Sequence, residues 1–391
     1  MTGSPVFLGG INVYLNYRSK LWRKLPGFMK HWLNAPWIIN LATKFGVSND
    51  AHELGALTVT LLEGDQGAEG REIEELAQFL GTQLKPDVIC LSNALLSGTI
   101  KKIKEHYQGP LFCILQGDDV FLEELGEPYR SRSLELIRNN VQQVDGVLVH
   151  SDYYREFMSG YLDMPVEHFH KVLLGINLEG HDGTPDDRSG EPFTIGFFAR
   201  ICKEKGLHNV VQAFEIFHKA HPDSRLCVGG FLGKESEEYF QETTKNLNAL
   251  NESYKYWGSP ATREEKIAFY KSLSVLSVPT DYHEPKGLFV LEALANGVPV
   301  VQPAHGAFPE LIEQTAGGLL VPPGDPQALA DAWERLYQDQ EYRLQLARQG
   351  YERVRQFYNA ELMATESLSF FQKWVDAAGL RQNTPQLTPD P

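Results

Sequence analysis

The chain has 391 residues, enough for two domains that each bury a core. A net charge of -15 argues against nucleic acid as a partner, and no apolar run is long enough to cross a bilayer. The 4 cysteines (Cys90, Cys113, Cys202 and Cys227) include no C-x-x-C pair, which argues against a zinc site or a disulfide framework and points to a reduced, cytoplasmic protein without a signal peptide.

The charge is uneven. No Asp or Glu precedes Asp50, while Arg18, Lys20, Arg23, Lys24, Lys30 and Lys44 all fall in that stretch. Trp22, Phe28, Trp32, Trp37 and Phe45 interleave with them. A basic, aromatic segment of this kind over residues 17–45 is able to lie against an anionic inner-membrane surface. The plainer reading is a packed helical hairpin with solvated charges. Just upstream, Ile11 to Leu15 follows Gly9-Gly10 and reads as a strand.

Leu54, Leu57, Thr58, Leu61 and Leu62 recur at helical spacing and predict a helix. Short apolar runs predict strands near Pro86–Ser92, Leu111–Leu115, Gly146–Val149 and Lys171–Leu174. Asp118-Asp119 is adjacent rather than spaced as Asp-x-Asp, so it reads as a loop cap and not as a metal site. His150 stands alone at a strand end, where a structural role is the commoner one. A polar run from Gly180 to Glu191, with Pro185 and several Gly and Asp, reads as a linker between two halves.

The second half alternates strand and helix. Phe193 to Ala199 is a strand that ends in Arg200, with Lys205-Gly206 ahead of a helix whose apolar face is Leu207, Val210, Val211, Phe214 and Phe217. Arg200 and Lys205 thus sit at the carboxyl end of a strand, where sheets of this kind bind ligands. Farther on, Leu273 to Val278 is a strand stopped by Pro279, Leu288 to Leu294 is a helix closed by Asn296-Gly297, and Val298 to Val301 is the next strand. Gly287, Leu288 and Phe289 would offer the open N–H groups and positive dipole end of that helix to a phosphate. Glu284 lies just outside the helix and Glu292 about one turn inside it. A phosphate would repel both carboxylates, so sugar hydroxyls are their natural partners. Eight helical residues rise about 12 Å, whereas a retaining glycosidase pair stands about 5–5.5 Å apart, so glycoside hydrolysis is the weaker reading. A last helix from Asn359 to Ala378 and a polar tail complete the chain.

Together these residues resemble the nucleotide-sugar domain of the group 1 glycosyltransferases, family four of the GT-B fold. The family pattern is a Glu, seven residues and a second Glu, with Gly-Leu between, preceded upstream by an Arg and a Lys five apart ahead of a Gly. The matching residues are Glu284, Glu292, Gly287-Leu288, Arg200, Lys205 and Gly206. The likeness continues through Gly306 to Ile312 and Gly317 to Val321. It implies an α/β fold of two Rossmann-like domains facing a cleft: residues 1–178 on the acceptor side, a linker 179–192, a nucleotide-sugar domain 193–358, a helix 359–378 crossing back, and a disordered tail 379–391. It further implies that Arg200 and Lys205 hold the donor diphosphate, Glu284 the donor sugar and Glu292 the ribose. The reaction would be a retaining, metal-independent transfer from a nucleotide-diphosphate sugar to a glycan or lipid-linked acceptor, without any cofactor. Glu284 exposed in the cleft would be replaceable by Ala with little loss of stability.

Two features depart from the pattern. Gln116 stands where the family usually has a histidine that touches the donor sugar, and Gln cannot exchange a proton at neutral pH. The opening strand-loop-helix unit of the first domain is not recognisable, which predicts an N-terminally truncated family member with an exposed sheet edge. These departures keep two alternatives open, a non-catalytic nucleotide-sugar binder and a sugar-nucleotide epimerase.

Overall fold

The computed structural model describes residues 51–185 and 191–379. The strand expected at Ile11 to Leu15, the basic aromatic segment 17–45 and the place where an opening unit was expected to be missing all lie outside these residues. So does the tail beyond residue 379. The described chain separates into two compact units. The first holds the chain up to Val149, Arg155–Lys171 and the chain from Leu368; the second holds His150–Tyr154 and Val172–Ser367.

In the first unit the predicted opening helix is α1 (Ala51–Leu62), with Leu62 buried. It is followed by α2 (Gly70–Gln78), β1 (Ile89–Leu91), α3 (Ile100–His106), β2 (Leu111–Ile114), α4 (Asp118–Glu124), α5 (Tyr129–Val141), β3 (Gly146–Val149), α6 (Asp152–Leu162) and β4 (Phe169–Lys171). The four strands pair in parallel in the order β1-β2-β3-β4. A strand was expected at Lys171–Leu174, but β4 ends where that stretch begins. Its ladder runs from Val147↔Phe169 to Val149↔Lys171, and there β3 stops. Val172 and Leu174 remain buried without a strand partner, because apolar character reports burial and not pairing. Phe112 of β2 is packed by Phe370, Phe371 and Trp374, each with ring centroids 5.4 Å away. Those three residues belong to the last helix, α14 (Ala360–Ala377), whose part from Leu368 clusters with this unit.

The second unit contains β5 (Thr194–Phe198), α7 (Leu207–Ala220), β6 (Arg225–Gly229), α8 (Glu237–Thr244), β7 (Tyr254–Gly258), α9 (Arg263–Lys271), β8 (Val275–Leu276), α10 (Leu288–Ala295), β9 (Val300–Pro303), α11 (Phe308–Thr315), β10 (Gly318–Val321), α12 (Pro326–Gln338) and α13 (Gln340–Phe357). Its six parallel strands run in the order β10-β9-β8-β5-β6-β7. The order reverses between β5 and β8, and sheets of this type bind ligands at the carboxyl ends of the strands at such a switch point. Trp333 of α12 is fully buried, and its indole N–H donates to Ser277 Oγ at 3.0 Å. The expected strand Leu273–Val278 is paired only at Val275 and Leu276. Val278 N–H donates instead to Gln302 Oε1 at 3.2 Å, so a side chain replaces the next rung.

Within the stretch read as a linker over residues 179–192, the described residues 179–185 differ from that expectation, and residues 186–190 lie outside the described residues. The boundary between units falls at Val172, and residues 179–185 are built into the second unit. His181 is buried; its Nδ1 accepts from Asn296 Nδ2 at 2.7 Å and its carbonyl accepts from Arg355 at 2.6 Å. Polar composition suggested a solvated hinge, but these polar groups are satisfied by partners distant in sequence. Among the described residues no helix is long and apolar enough to cross a membrane, and all four cysteines are free, with Cys113, Cys202 and Cys227 buried.

Candidate active site

The loop after β5 delivers the first cation. A short 3-10 turn, Lys203–Lys205, ends on Gly206, whose φ of 75° is in the left-handed region. A Cβ placed at Gly206 would lie 1.8 Å from the Pro279 carbonyl oxygen, so only glycine lets this loop close against the one after β8. That closure brings Lys205 Nζ within 2.8 Å of Glu284 Oε2. Lys205 also donates to the Tyr282 hydroxyl, which in turn donates to Glu284 at 2.5 Å. The ammonium lies 4.8 Å from the centre of the Tyr282 ring and 5.7 Å from that of Phe289.

Glu284 is held from several directions. Its Oε1 accepts from Gly287 N–H at 3.2 Å and from Lys286 N–H at 3.4 Å, while its carbonyl accepts from Ala307 N–H at 2.8 Å. It is only 6% exposed, so it does not stand open in the cleft as expected. Burial pushes its carboxyl pKa up. The Lys205 charge and hydrogen bond, with those from Tyr282 and Gly287, outweigh burial and leave the pKa below its ordinary 4.5. The expectation that Glu284→Ala spares stability is therefore corrected: that change leaves a buried ammonium without its counter-charge. The sign of the pH effect follows. A lowered folded pKa contributes stability that is fully present above about 4.5 and is lost as pH falls through the folded value. The urea midpoint of Glu284→Gln should fall well below wild type at pH 7 and approach it at pH 3. An equal gap at both pH values would refute the lowered pKa.

Gly287, with φ of 69°, is the N-cap of α10, and no side chain caps the helix there. Leu288 and Phe289 form its first turn beside the Lys205 group. Glu292, one turn on, receives Lys266 Nζ at 2.6 Å on one oxygen and the Tyr270 hydroxyl at 2.8 Å on the other. Glu292 and Leu288 line a cavity of about 780 Å³ together with Arg200, Phe231, Arg263 and Lys266. Arg200 is exposed at its wall.

Of the residues singled out in the sequence, the structure brings Lys205, Glu284, Gly287 and Phe289 into one group, and Arg200, Leu288 and Glu292 onto one cavity. Gln116 belongs to the first unit, where its side-chain amide donates to the Ser92 carbonyl at 3.2 Å. Asp118 acts as the loop cap that was expected, accepting from Ala94 N–H at 2.7 Å and Gln116 N–H at 2.9 Å. His150 Nδ1 is 3.3 Å from the Val172 carbonyl oxygen, a structural contact. Tyr282, Lys266, Tyr270 and His181 were not found from the sequence. Tyr282 was within reach, two residues before Glu284. Lys266 and Tyr270 share a face of α9 four residues apart, but nothing in their spacing points to a glutamate more than twenty positions away. Glu74, Glu105 and His106 approach one another closely enough to suggest a metal site. Lys102 Nζ sits 3.4 Å from Glu74 and 2.6 Å from Glu105, which makes this an ion-pair cluster.

Residues 185–353 match the family model "Glycosyl transferases group 1". The matched residues fall within the second unit. A D-inositol 3-phosphate glycosyltransferase from Corynebacterium urealyticum is 32% identical over 39% of this chain and 37% of its own length. The capsular polysaccharide biosynthesis glycosyltransferase CapM of Staphylococcus aureus is 28% identical over 47% of each chain. The match thus spans less than half the length of these curated relatives. Among solved structures, HepE of Anabaena in complex with UDP superimposes with a TM-score of 0.68 over 95% of this chain and 98% of that one, at 18% identity. Sucrose-phosphate synthase from Thermosynechococcus elongatus gives 0.67 over 79% of each chain, at 21% identity. These likenesses show the GT-B fold, with its pair of parallel-sheet α/β units, for this chain.

Proposed function

We propose that the chain is a group 1 glycosyltransferase that moves a sugar from a nucleotide-diphosphate sugar to a hydroxyl acceptor, with retention of configuration and without a metal ion. The observation that carries the reading is the switch point of the second sheet. There the uncapped start of α10, beside the Lys205–Glu284 pair, lines a cavity through Leu288 together with Arg200 and Glu292. The donor class is supported by the family-model match over residues 185–353 and by the UDP and UDP-glucose complexes of HepE, which has the same fold.

In this reading the helix end, Lys205 and Arg200 stabilise the charge that grows on the leaving diphosphate, which is the work a metal does elsewhere. Glu284, fixed as a carboxylate, accepts hydrogen bonds from the donor sugar, and Glu292 accepts them from the ribose. The bond from the anomeric carbon to the phosphate oxygen breaks while the acceptor oxygen attacks from the same face, through an oxocarbenium-like state. The departing phosphate oxygen takes the acceptor proton, so no protein base is required. We place the acceptor among glycans and lipid-linked glycans, with the basic segment 17–45 as a contact for an anionic membrane surface in the cytoplasm.

A panel of nucleoside diphosphates tests the donor half. At a hundredfold excess over its dissociation constant, a ligand confined to the folded state adds about 2.7 kcal/mol, which reads as a rise in melting temperature. Incubation with the matching sugar nucleotide should then release nucleoside diphosphate at the same rate in EDTA, and any glycoside formed should keep the donor's anomeric configuration by NMR. An epimerised sugar nucleotide, or binding with no turnover, would replace transfer by one of the two alternative activities.

A further inference from the structure

Phe231 is the exposed aromatic side chain on the wall of the 780 Å³ cavity. It is 60% exposed, which leaves most of a large apolar ring in water. Its main chain, by contrast, is fixed. The Phe231 carbonyl accepts from Ile201 N–H at 2.8 Å, and Leu232 pairs with Ile201 in a parallel bridge. Gly230 donates to the Gly258 carbonyl at 2.9 Å. Gly230 has φ of 132°, and a Cβ there would meet the Ala199 carbonyl oxygen at 1.7 Å. The ring is therefore presented from a backbone tied to the strands on both sides, and little order remains to be lost when a ligand covers it.

Its position in the sheet is directional. Lys205 and the start of α10 stand at the ends of β5 and β8, whereas Phe231 follows β6, on the far side of β5 from β8. Adjacent strands are about 4.8 Å apart, so Phe231 stands within a few strand widths of Arg200, which follows β5. Ser259 and Pro260, just past β7, continue the wall beyond Phe231. Glu292 is the carboxylate of the lining, with Arg200, Arg263 and Lys266 as its cations. A nucleoside diphosphate carries an anionic end, a hydroxylated middle and a flat aromatic end, for which these cations, Glu292 and Phe231 are the matching partners.

We propose that Phe231 is the platform on which the base of the nucleotide stacks. This inference rests on the reading of the cavity as a donor site and assigns it a residue for the base. Every base has an aromatic face, so stacking supplies affinity shared by all bases and does not choose among them.

The test compares wild type, Phe231→Ala and Phe231→Tyr by titration with UDP, GDP, ADP and inorganic diphosphate, after melting curves confirm that each variant folds. Phe231→Ala should weaken the best-bound nucleoside diphosphate about tenfold or more while changing inorganic diphosphate by less than about twofold, and Phe231→Tyr should restore binding. Unchanged nucleotide affinity in Phe231→Ala overturns the proposal. So does an equal loss for inorganic diphosphate, which would mean that the ring only supports the loop. Wild type that binds none of the nucleotides would instead defeat the donor-site reading itself.

Discussion

Lys205→Met is expected to lower sugar transfer about 10²–10³-fold, the usual consequence of deleting one preorganised donor to a developing anion. The side chain sits beside an uncapped helix start, where a leaving diphosphate would collect its charge. The same change should cost stability. Glu284 is nearly enclosed, and without Lys205 its carboxylate keeps only neutral partners: the Tyr282 hydroxyl and the N–H groups of Lys286 and Gly287. Breaking one side of an enclosed pair is worth about 2–3 kcal/mol here, below the usual figure because those neutral bonds remain. Tyr282 offers no compensation by ionising, since burial and the Glu284 charge push its phenol pKa far up. A double variant, Lys205→Met with Glu284→Gln, separates the two effects. It should recover most of the lost denaturation midpoint and none of the lost rate. Recovery of both would reduce Lys205 to a structural counter-ion. Full stability in the single variant would mean that the pair is screened by solvent.

Gly206→Ala should be one of the most damaging small changes in the second unit. Two costs coincide at that position. The backbone is left-handed, with φ of 75°, and the added carbon would fall 1.8 Å from the Pro279 carbonyl oxygen, which belongs to backbone and cannot rotate away. Conformational strain and overpacking together are worth about 3 kcal/mol. The loop after β5 must then part from the loop after β8, and those two loops carry Lys205 and Glu284. Activity should therefore fall with stability, and the nucleoside diphosphate that protects wild type should protect this variant much less. Thermal unfolding with and without that ligand measures both. Gly324→Ala is the control: its φ is 66°, but nothing lies within 4 Å of the added carbon, so it incurs the strain without the collision. Equal losses in the two variants would show that close approach contributes nothing at Gly206.

The residues of the site were legible one stretch at a time. A β-branched strand stopped by Pro279, a glycine before an apolar helix, and an Arg and a Lys after another strand each carried a local physical meaning. Their order along the chain sufficed for the resemblance to group 1 glycosyltransferases, and a family-model match over residues 185–353 agrees with it. The wrong expectations share a cause, because each concerned a group whose partner is remote in sequence. The tolerance expected of Glu284→Ala was conditional on an exposed carboxylate, and Lys205 pairs with it from 79 positions away. The stretch after Glu179 looked like a free hinge, yet Asn296 and Arg355 bind His181 there. The strand expected at Lys171 ended early because β3 has no further residue to pair with it.

By itself the sequence determined the alternation of strand and helix, the two-unit α/β organisation, and the chemical types gathered at two strand ends. Periodicity, glycine and proline positions and charge are local properties, so they survive without coordinates. The tertiary structure decided which cation neutralises which carboxylate, that Lys266 and Tyr270 grip Glu292, and that Phe231 stands on the cavity wall. Those facts depend on strand order and loop closure, and a parallel sheet brings together side chains that the chain itself keeps far apart.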